Sequence, residues 1–391
     1  MATPGTGYRA SLATLVAASV TFGCGGTVTP AAPDVAPVPA AASGASAGAA
    51  VAGNLADDAA GSDSPAPSPA TPADAHAAHR RCGWIGADTF AAGKATFLAN
   101  PDYYDAIHPV WAVLQPDGRI RMLAMADDAE IMAVAAAHHV RVMPLIAFDD
   151  PSSFQKATAS VTAIQSHAQA LTDMVLQHGY DGVELDYEHL WSAGYRAPYQ
   201  ALLTATATLL HAAGKKLTLA LPAMDRDYPD TAYDYAFLQA TVDVMHLMGY
   251  DFHYLGGGHI GPLAPRGWIS DVVTRVEALG APQKYVLGIA NYGVGDGWYT
   301  SAKDAAARCS GGSHATSTDH MAGCSLGHQD AGVAPHCPTP QGEVWFEDVA
   351  SMSEKAQLAK AHGLGGIGVY AMGDEPDGFF AAMKIQFGDV Q

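Results

Sequence analysis

The stretch Asp181-Gly182-Val183-Glu184-Leu185-Asp186-Tyr187-Glu188 sets a carboxylic acid at every second residue from Glu184 to Glu188. In an extended strand successive side chains point to opposite faces. Glu184, Asp186 and Glu188 therefore share one face, with neighbours roughly 6.6 Å apart, and Val183, Leu185 and Tyr187 take the other. Carboxyls crowded in this way resist joint ionisation, so one can stay protonated as a general acid beside a negative neighbour. On an open sheet the row would be an ordinary wetted face. The flanking sequence argues otherwise. A helical run from Ser160 to His178 precedes it, Gly179 and Asp181-Gly182 supply a turn, and another helical run starts at Ala197. A strand between two helices belongs to a parallel sheet covered by those helices. Acids inside such a sheet are costly without a chemical task, and this strand is read as catalytic.

The elements that must position it can be followed along the chain. Cys82–Ile85 and Ile107–Leu114 are apolar strands, and Pro116-Asp117-Gly118 turns the second into a hairpin return over Arg119–Leu123. Asp127 or Asp128 can cap a helix reaching His139. Further strands are predicted over Val140–Ala147, the acidic stretch itself, Lys216–Leu221, Val242–Tyr250, Tyr285–Ala290 and Gly366–Tyr370, with helical runs between most of them. This alternation predicts an α/β fold: a (β/α)8 TIM barrel over residues 81–391, with a cysteine-containing insertion between strands seven and eight. A doubly wound open sheet is the second reading. No glycine-rich phosphate loop opens a helix; Gly256-Gly257-Gly258 runs instead into Pro262 and Pro265.

Composition bounds the rest. The chain has 391 residues, 49% of them hydrophobic, and a formal net charge of −19. That charge argues against nucleic acid or an anionic membrane surface as a partner. Residues 1–24 read as a signal segment: Arg9, an apolar run from Ser11 to Phe22 too short to span a bilayer, then Gly23-Cys24. Cys24 is a candidate for lipidation, which would make the protein a cell-envelope lipoprotein; a secreted protein is the alternative. Residues 25–80, rich in Ala and Pro, lack periodicity and large apolar side chains, so a disordered tether is expected.

Apart from Cys24 there are four cysteines, Cys82, Cys309, Cys324 and Cys337. An even number in an exported chain favours disulfides. Of the three connectivities, Cys309–Cys324 with Cys82–Cys337 is preferred. His314, His320, His328 and His336 lie near three of these cysteines, but no C-x-x-C or H-E-x-x-H spacing marks zinc, so neither metal nor cofactor is expected.

The 181–188 stretch resembles the D-x-x-D-x-D-x-E signature of glycoside hydrolase family 18, the chitinase family. Met248-Gly249-Tyr250-Asp251 resembles its M-x-Y-D motif. Tyr250-Asp251-Phe252-His253 through Gly261-Pro262-Leu263-Ala264, and Gly363–Tyr370 after Val344-Trp345-Phe346-Glu347-Asp348, are similar to the branch of spore-germination cortex hydrolases and di-N-acetylchitobiase. The resemblance implies a retaining, substrate-assisted hydrolysis of oligomers containing N-acetylglucosamine, as in chitin or peptidoglycan. It implies that Glu188 is the general acid, that Asp186 orients the 2-acetamido group and stabilises the oxazolinium, and that Tyr250 hydrogen-bonds the acetamido oxygen. Asp251, Met248 and Tyr370 would contact the sugar.

Two positions depart from the pattern. Glu184 stands where the family has Asp or Asn; it is expected to share a hydrogen bond or a proton with Asp186 and to tolerate Asp. Tyr370 stands where Trp commonly floors the subsite. Two rival readings remain. One is a barrel that binds N-acetylglucosamine polymers without cleaving them. The other is a glycosidase with a carboxylate nucleophile about 5 Å from Glu188, for which Asp251 or Glu375 would be proposed.

Overall fold

The computed structural model describes residues 80–387, apart from 149, 258–259, 296, 310–335 and 340–341. The signal segment, Cys24, the tether up to residue 79, Cys324, His314, His320 and His328 lie outside the described residues, while Arg80, expected to end the tether, opens β1. Eight strand positions close a parallel barrel. They are β1 (Arg80–Ile85), β2 (Ala106–Leu114), a third position shared by β4 (Arg141–Val142) and β5 (Leu145–Phe148), β6 (Gly182–Asp186), β7 (Lys216–Pro222), β8 (Val244–Met248), β9 (Tyr285–Ala290) and β14 (Gly366–Tyr370). β14 pairs with β1, which also pairs with β2, so no edge is left in the ring. The short β3 (Ile120–Met122) returns antiparallel on β2, as its turn predicts. The expected single third strand is interrupted at Met143-Pro144, where proline has no N–H to give the ladder.

The helix Val161–His178 shows how the wall is built. Ser160 caps it by accepting from Ala163 N–H at 3.1 Å, and Gly179, at φ 72°, ends it in the left-handed conformation that glycine adopts readily. Ile164, Ala168, Leu171 and Val175 form its buried stripe. Opposite it, Val183, Leu185 and Tyr187 are buried on the outer face of β6, which leaves the acids to point into the barrel. The layer of inward residues below the catalytic end is partly polar. It includes Trp84, His108, Glu184, Thr218 and His246, all buried. A Cβ on Gly368 would lie 2.6 Å from Trp84 Cζ3, so only glycine leaves room there for the indole.

The described part of the insertion after β9 carries a sheet of its own. β10 (Tyr292–Gly295), β11 (Trp298–Ser301), β12 (His336–Thr339) and β13 (Gly342–Phe346) form an antiparallel sheet in the order β11-β10-β13-β12. A disulfide joins Cys309, just past the helix Ala302–Arg308, to Cys337 on β12, with Cα atoms 5.8 Å apart. The preferred pairings Cys309–Cys324 and Cys82–Cys337 are therefore corrected. Cys82 is a free, buried thiol inside the barrel, and Cys337 already has its partner beside it in the insertion. Among the described residues no helix is long and apolar enough to cross a membrane.

Candidate active site

The ladder of β6 ends at Asp186, so Glu188 stands on the segment just beyond it, at the C-terminal rim where barrel enzymes place their chemistry. That segment is pinned from outside. Tyr187 OH and His167 Nε2 are 2.7 Å apart, and Tyr233 OH donates to the Tyr187 carbonyl at 3.0 Å. Burial drives the Asp186 carboxyl well above the usual range, and the charges of Glu188 and then Glu184 push it the same way. Asp186 Oδ1 is buried and has no hydrogen-bond partner in the protein. Burial also pushes Glu188 up to about 7, although a fifth of its side chain (20%) remains accessible, and His189 Nε2 lies 3.6 Å from it. Two such carboxyls titrate as a pair and hold a proton between them near neutral pH.

Glu184 is not part of that pair. Its Oε2 accepts from Trp84 Nε1 at 3.1 Å and lies 2.6 Å from His108 Nδ1; its Oε1 lies 2.7 Å from His246 Nδ1. No hydrogen bond joins it to Asp186, contrary to the expectation of a shared one. Its longer side chain reaches down into the barrel, to two histidines, instead of sideways. Burial alone would raise its carboxyl, but His108 and His246 outweigh that and hold it far below the usual range. In turn, burial lowers His246 while Glu184 and Cys82 together more than compensate, raising the ring to about 10.

The opposite wall is aromatic. Tyr250 follows β8, and its ring stacks on that of Tyr370, the last residue of β14. Tyr292, on the insertion, meets both rings edge-on and hydrogen-bonds Asp251. Asp251 sits at φ 61° directly after Tyr250; burial pushes it up to about 7, Tyr292 opposes the shift and Glu188 adds to it. The charges of Asp186, Glu188 and Asp251 all act on both Tyr250 and Tyr370, so these five residues converge. Met248, partly exposed, is the last ladder residue of β8, between Pro222 and Gly288. Glu375 is committed elsewhere, accepting from Thr96 Oγ1 at 2.8 Å and from Gly373 N–H at 3.0 Å.

The profile of glycosyl hydrolases family 18 matches residues 94–375, well over half of the chain and including the carboxylates and tyrosines of this cleft. The chain belongs to glycosyl hydrolases family 18. Its barrel is that of a chitinase-like glycoside hydrolase. Bacillus subtilis YdhD, which bears the name of a sporulation-specific glycosylase, is 29% identical over 311 residues, 72% of each chain. Among solved structures, a chitinase from Chromobacterium violaceum superposes with a TM-score of 0.68 at 21% identity, over 80% of this chain and 99% of that one. The spore cortex-lytic enzyme SleL of Bacillus cereus gives 0.66 at 19%, over 79% and 74%. At those identities the two structures speak to the fold.

Sequence reasoning passes over four residues in or below this cleft: Trp84, His108, His246 and Tyr292. A signal for two of them was present. His108 and His246 are polar residues in the middle of otherwise apolar strands, where the side chain must be buried. Among the described residues, Cys82, His108 and His246 also form the one group able to hold a metal ion, with one ligand atom from each lying within 4.8 Å of the others.

Proposed function

We propose that the protein hydrolyses β-linked N-acetylglucosamine oligomers with retention, using the substrate's own acetamido oxygen as nucleophile. The observation that carries this reading is the pair at the end of β6: Glu188 held at about 7, and Asp186 buried behind it with Oδ1 unpartnered. Glu188 donates its proton to the glycosidic oxygen. Asp186 accepts from the acetamido N–H, turning the carbonyl toward C1, and its charge then stabilises the oxazolinium. Tyr250 donates to the acetamido oxygen, while Asp251, Met248 and Tyr370 hold the sugar. A carboxylate nucleophile is poorly supported, because Glu375 is bound by Thr96 and Gly373 and Asp251 by Tyr292. The names of the relatives allow chitin and the glycan of peptidoglycan, and chitin-type oligomers are the preferred substrate. Export is part of the proposal, with Cys24 as lipid anchor; the Cys309–Cys337 bridge suits an oxidising compartment.

Product analysis on chitotetraose, purified peptidoglycan and cellotetraose tests the reading, with Glu188→Gln as control. N-acetylated substrates should be cut with the β-anomer appearing first. Equal cleavage of cellotetraose would overturn it, since glucose has no acetamido group.

A further inference from the structure

Below the catalytic carboxyls the barrel encloses reactive side chains that glycoside hydrolysis does not use. Cys82 and Trp84 are inward residues of β1. The register sets Trp84 beside His108 and Cys82 beside Ala106 on β2, and His246 comes across the barrel from β8. The two imidazole centroids are 4.6 Å apart. We propose that Cys82, His108 and His246 form a buried three-ligand site for a divalent cation, zinc by preference, with Glu184 as the outer partner of the imidazoles.

Four observations support this. The first is convergence: one ligand atom from each residue lies within 4.8 Å of the others. Zinc–ligand bonds of about 2.0–2.3 Å set donors roughly 3.3–3.8 Å apart, so small side-chain shifts bring the three donors to bonding distance and leave the fourth position to a water carried in with the ion. The second is orientation. Glu184 hydrogen-bonds His246 Nδ1 at 2.7 Å and lies 2.6 Å from His108 Nδ1, an ion-pair contact without hydrogen-bond geometry. The Nε2 atoms of both rings are buried with no partner of hydrogen-bond geometry, and the Cys82 thiol is the polar group both rings approach. A ring whose far nitrogen is fixed by a carboxylate is the usual arrangement of a metal-bound histidine.

The third observation is donor type. Thiolate with two imidazoles suits zinc and excludes the oxygen-seeking magnesium and calcium. The fourth is charge. With both imidazoles neutral on the ion, a Cys82 thiolate and the Glu184 carboxylate carry two negative charges, and a divalent ion in this buried region cancels them in place of the imidazolium protons. Ala106 and Met143 close the floor around Cys82, and Trp84 covers the top, its ring 5.4 Å from His246 and 6.0 Å from His108. Substrate has no access, so the ion is structural. It would tie β1, β2 and β8 together and, through Glu184, fix the catalytic strand β6.

The test uses the full chain carrying Cys324→Ser, so that Cys82 is the only free thiol of the barrel and its insertion. The protein is unfolded without reductant, refolded with Co2+, and passed over a chelating column. The expected result is one retained equivalent of cobalt with a thiolate-to-cobalt charge-transfer band, displaced by Zn2+. Adding Cys82→Ser should remove the band. Glu184→Gln should weaken retention by about 10–100-fold. Folded protein retaining no metal, or retaining it without the thiolate band, overturns the proposal even if Cys82→Ser fails to fold. A band unchanged in Cys82→Ser overturns it as well.

Discussion

Tyr250 stacks on Tyr370 with ring centroids 5.4 Å apart and planes 19° from parallel, joining the ends of two strands that are not neighbours in the ring. The stack holds the Tyr250 hydroxyl near Asp186 and Glu188. Tyr250→Phe keeps the stack but loses the donor, so kcat on chitooligosaccharides should fall about 100-fold with a small change in KM. Tyr370→Ala should chiefly raise KM, and Tyr370→Trp should restore it. Steady-state kinetics of the three variants separate the two roles.

Glu188→Gln should lower kcat by about 100- to 10,000-fold while sugar binding persists, as titration calorimetry can show. The same variant has a second signature. Folding raises the Glu188 pKa from its ordinary value to about 7. The folded state therefore holds this proton more tightly, and the associated stability, complete below pH 4.5, is lost as pH rises through 7. Glu188→Gln should thus be more stable than the parent at pH 8, by on the order of 1–3 kcal/mol, with less difference at pH 5. Denaturant melts at the two pH values check this.

The pH profile follows from the same group. A general acid works protonated, so kcat/KM should fall on the alkaline side with an apparent pKa near 7. In Glu188→Gln that limb should vanish from the residual activity. A limb that stays would assign it to Asp251, which is also held at about 7.

Glu184→Gln removes a buried charge that faces two histidines, and should destabilise the fold by about 3 kcal/mol or more. Glu184→Asp, expected from sequence to be tolerated, should also be destabilising, because the shorter side chain cannot reach both rings at 2.6 and 2.7 Å. Thermal melts should rank the parent above both variants.

Peptide mapping without reduction should recover a Cys309–Cys337 crosslink and an unpaired Cys82 that reacts with alkylating agents only after unfolding. A Cys82–Cys337 peptide would contradict the structure.

What could be read from the sequence was local. Alternation along residues 181–188 assigns the acids to the inside and Val183, Leu185 and Tyr187 to the helices, because strand geometry alone decides it. The order of strands and helices likewise gives the barrel. Closure of the ring is what brings Trp84, His108 and His246 to Glu184, across separations of 62 residues for His246 and 100 for Trp84, and no local pattern encodes it. The pairing of Cys309 with Cys337 depends in the same way on the sheet of the insertion. That sheet was hidden because its strands are short and far apart in sequence, with a stretch rich in Gly, Ser and His between β11 and β12.

The polarity of β1 has a consequence for how the protein meets a polymer. Because the strands are parallel, Arg80 enters at the end of the barrel opposite Glu188 and Tyr370. The N-terminal end of β1 and the mouth of the cleft thus lie at opposite poles of the barrel, so a polymer can reach the cleft without passing the strand's point of entry.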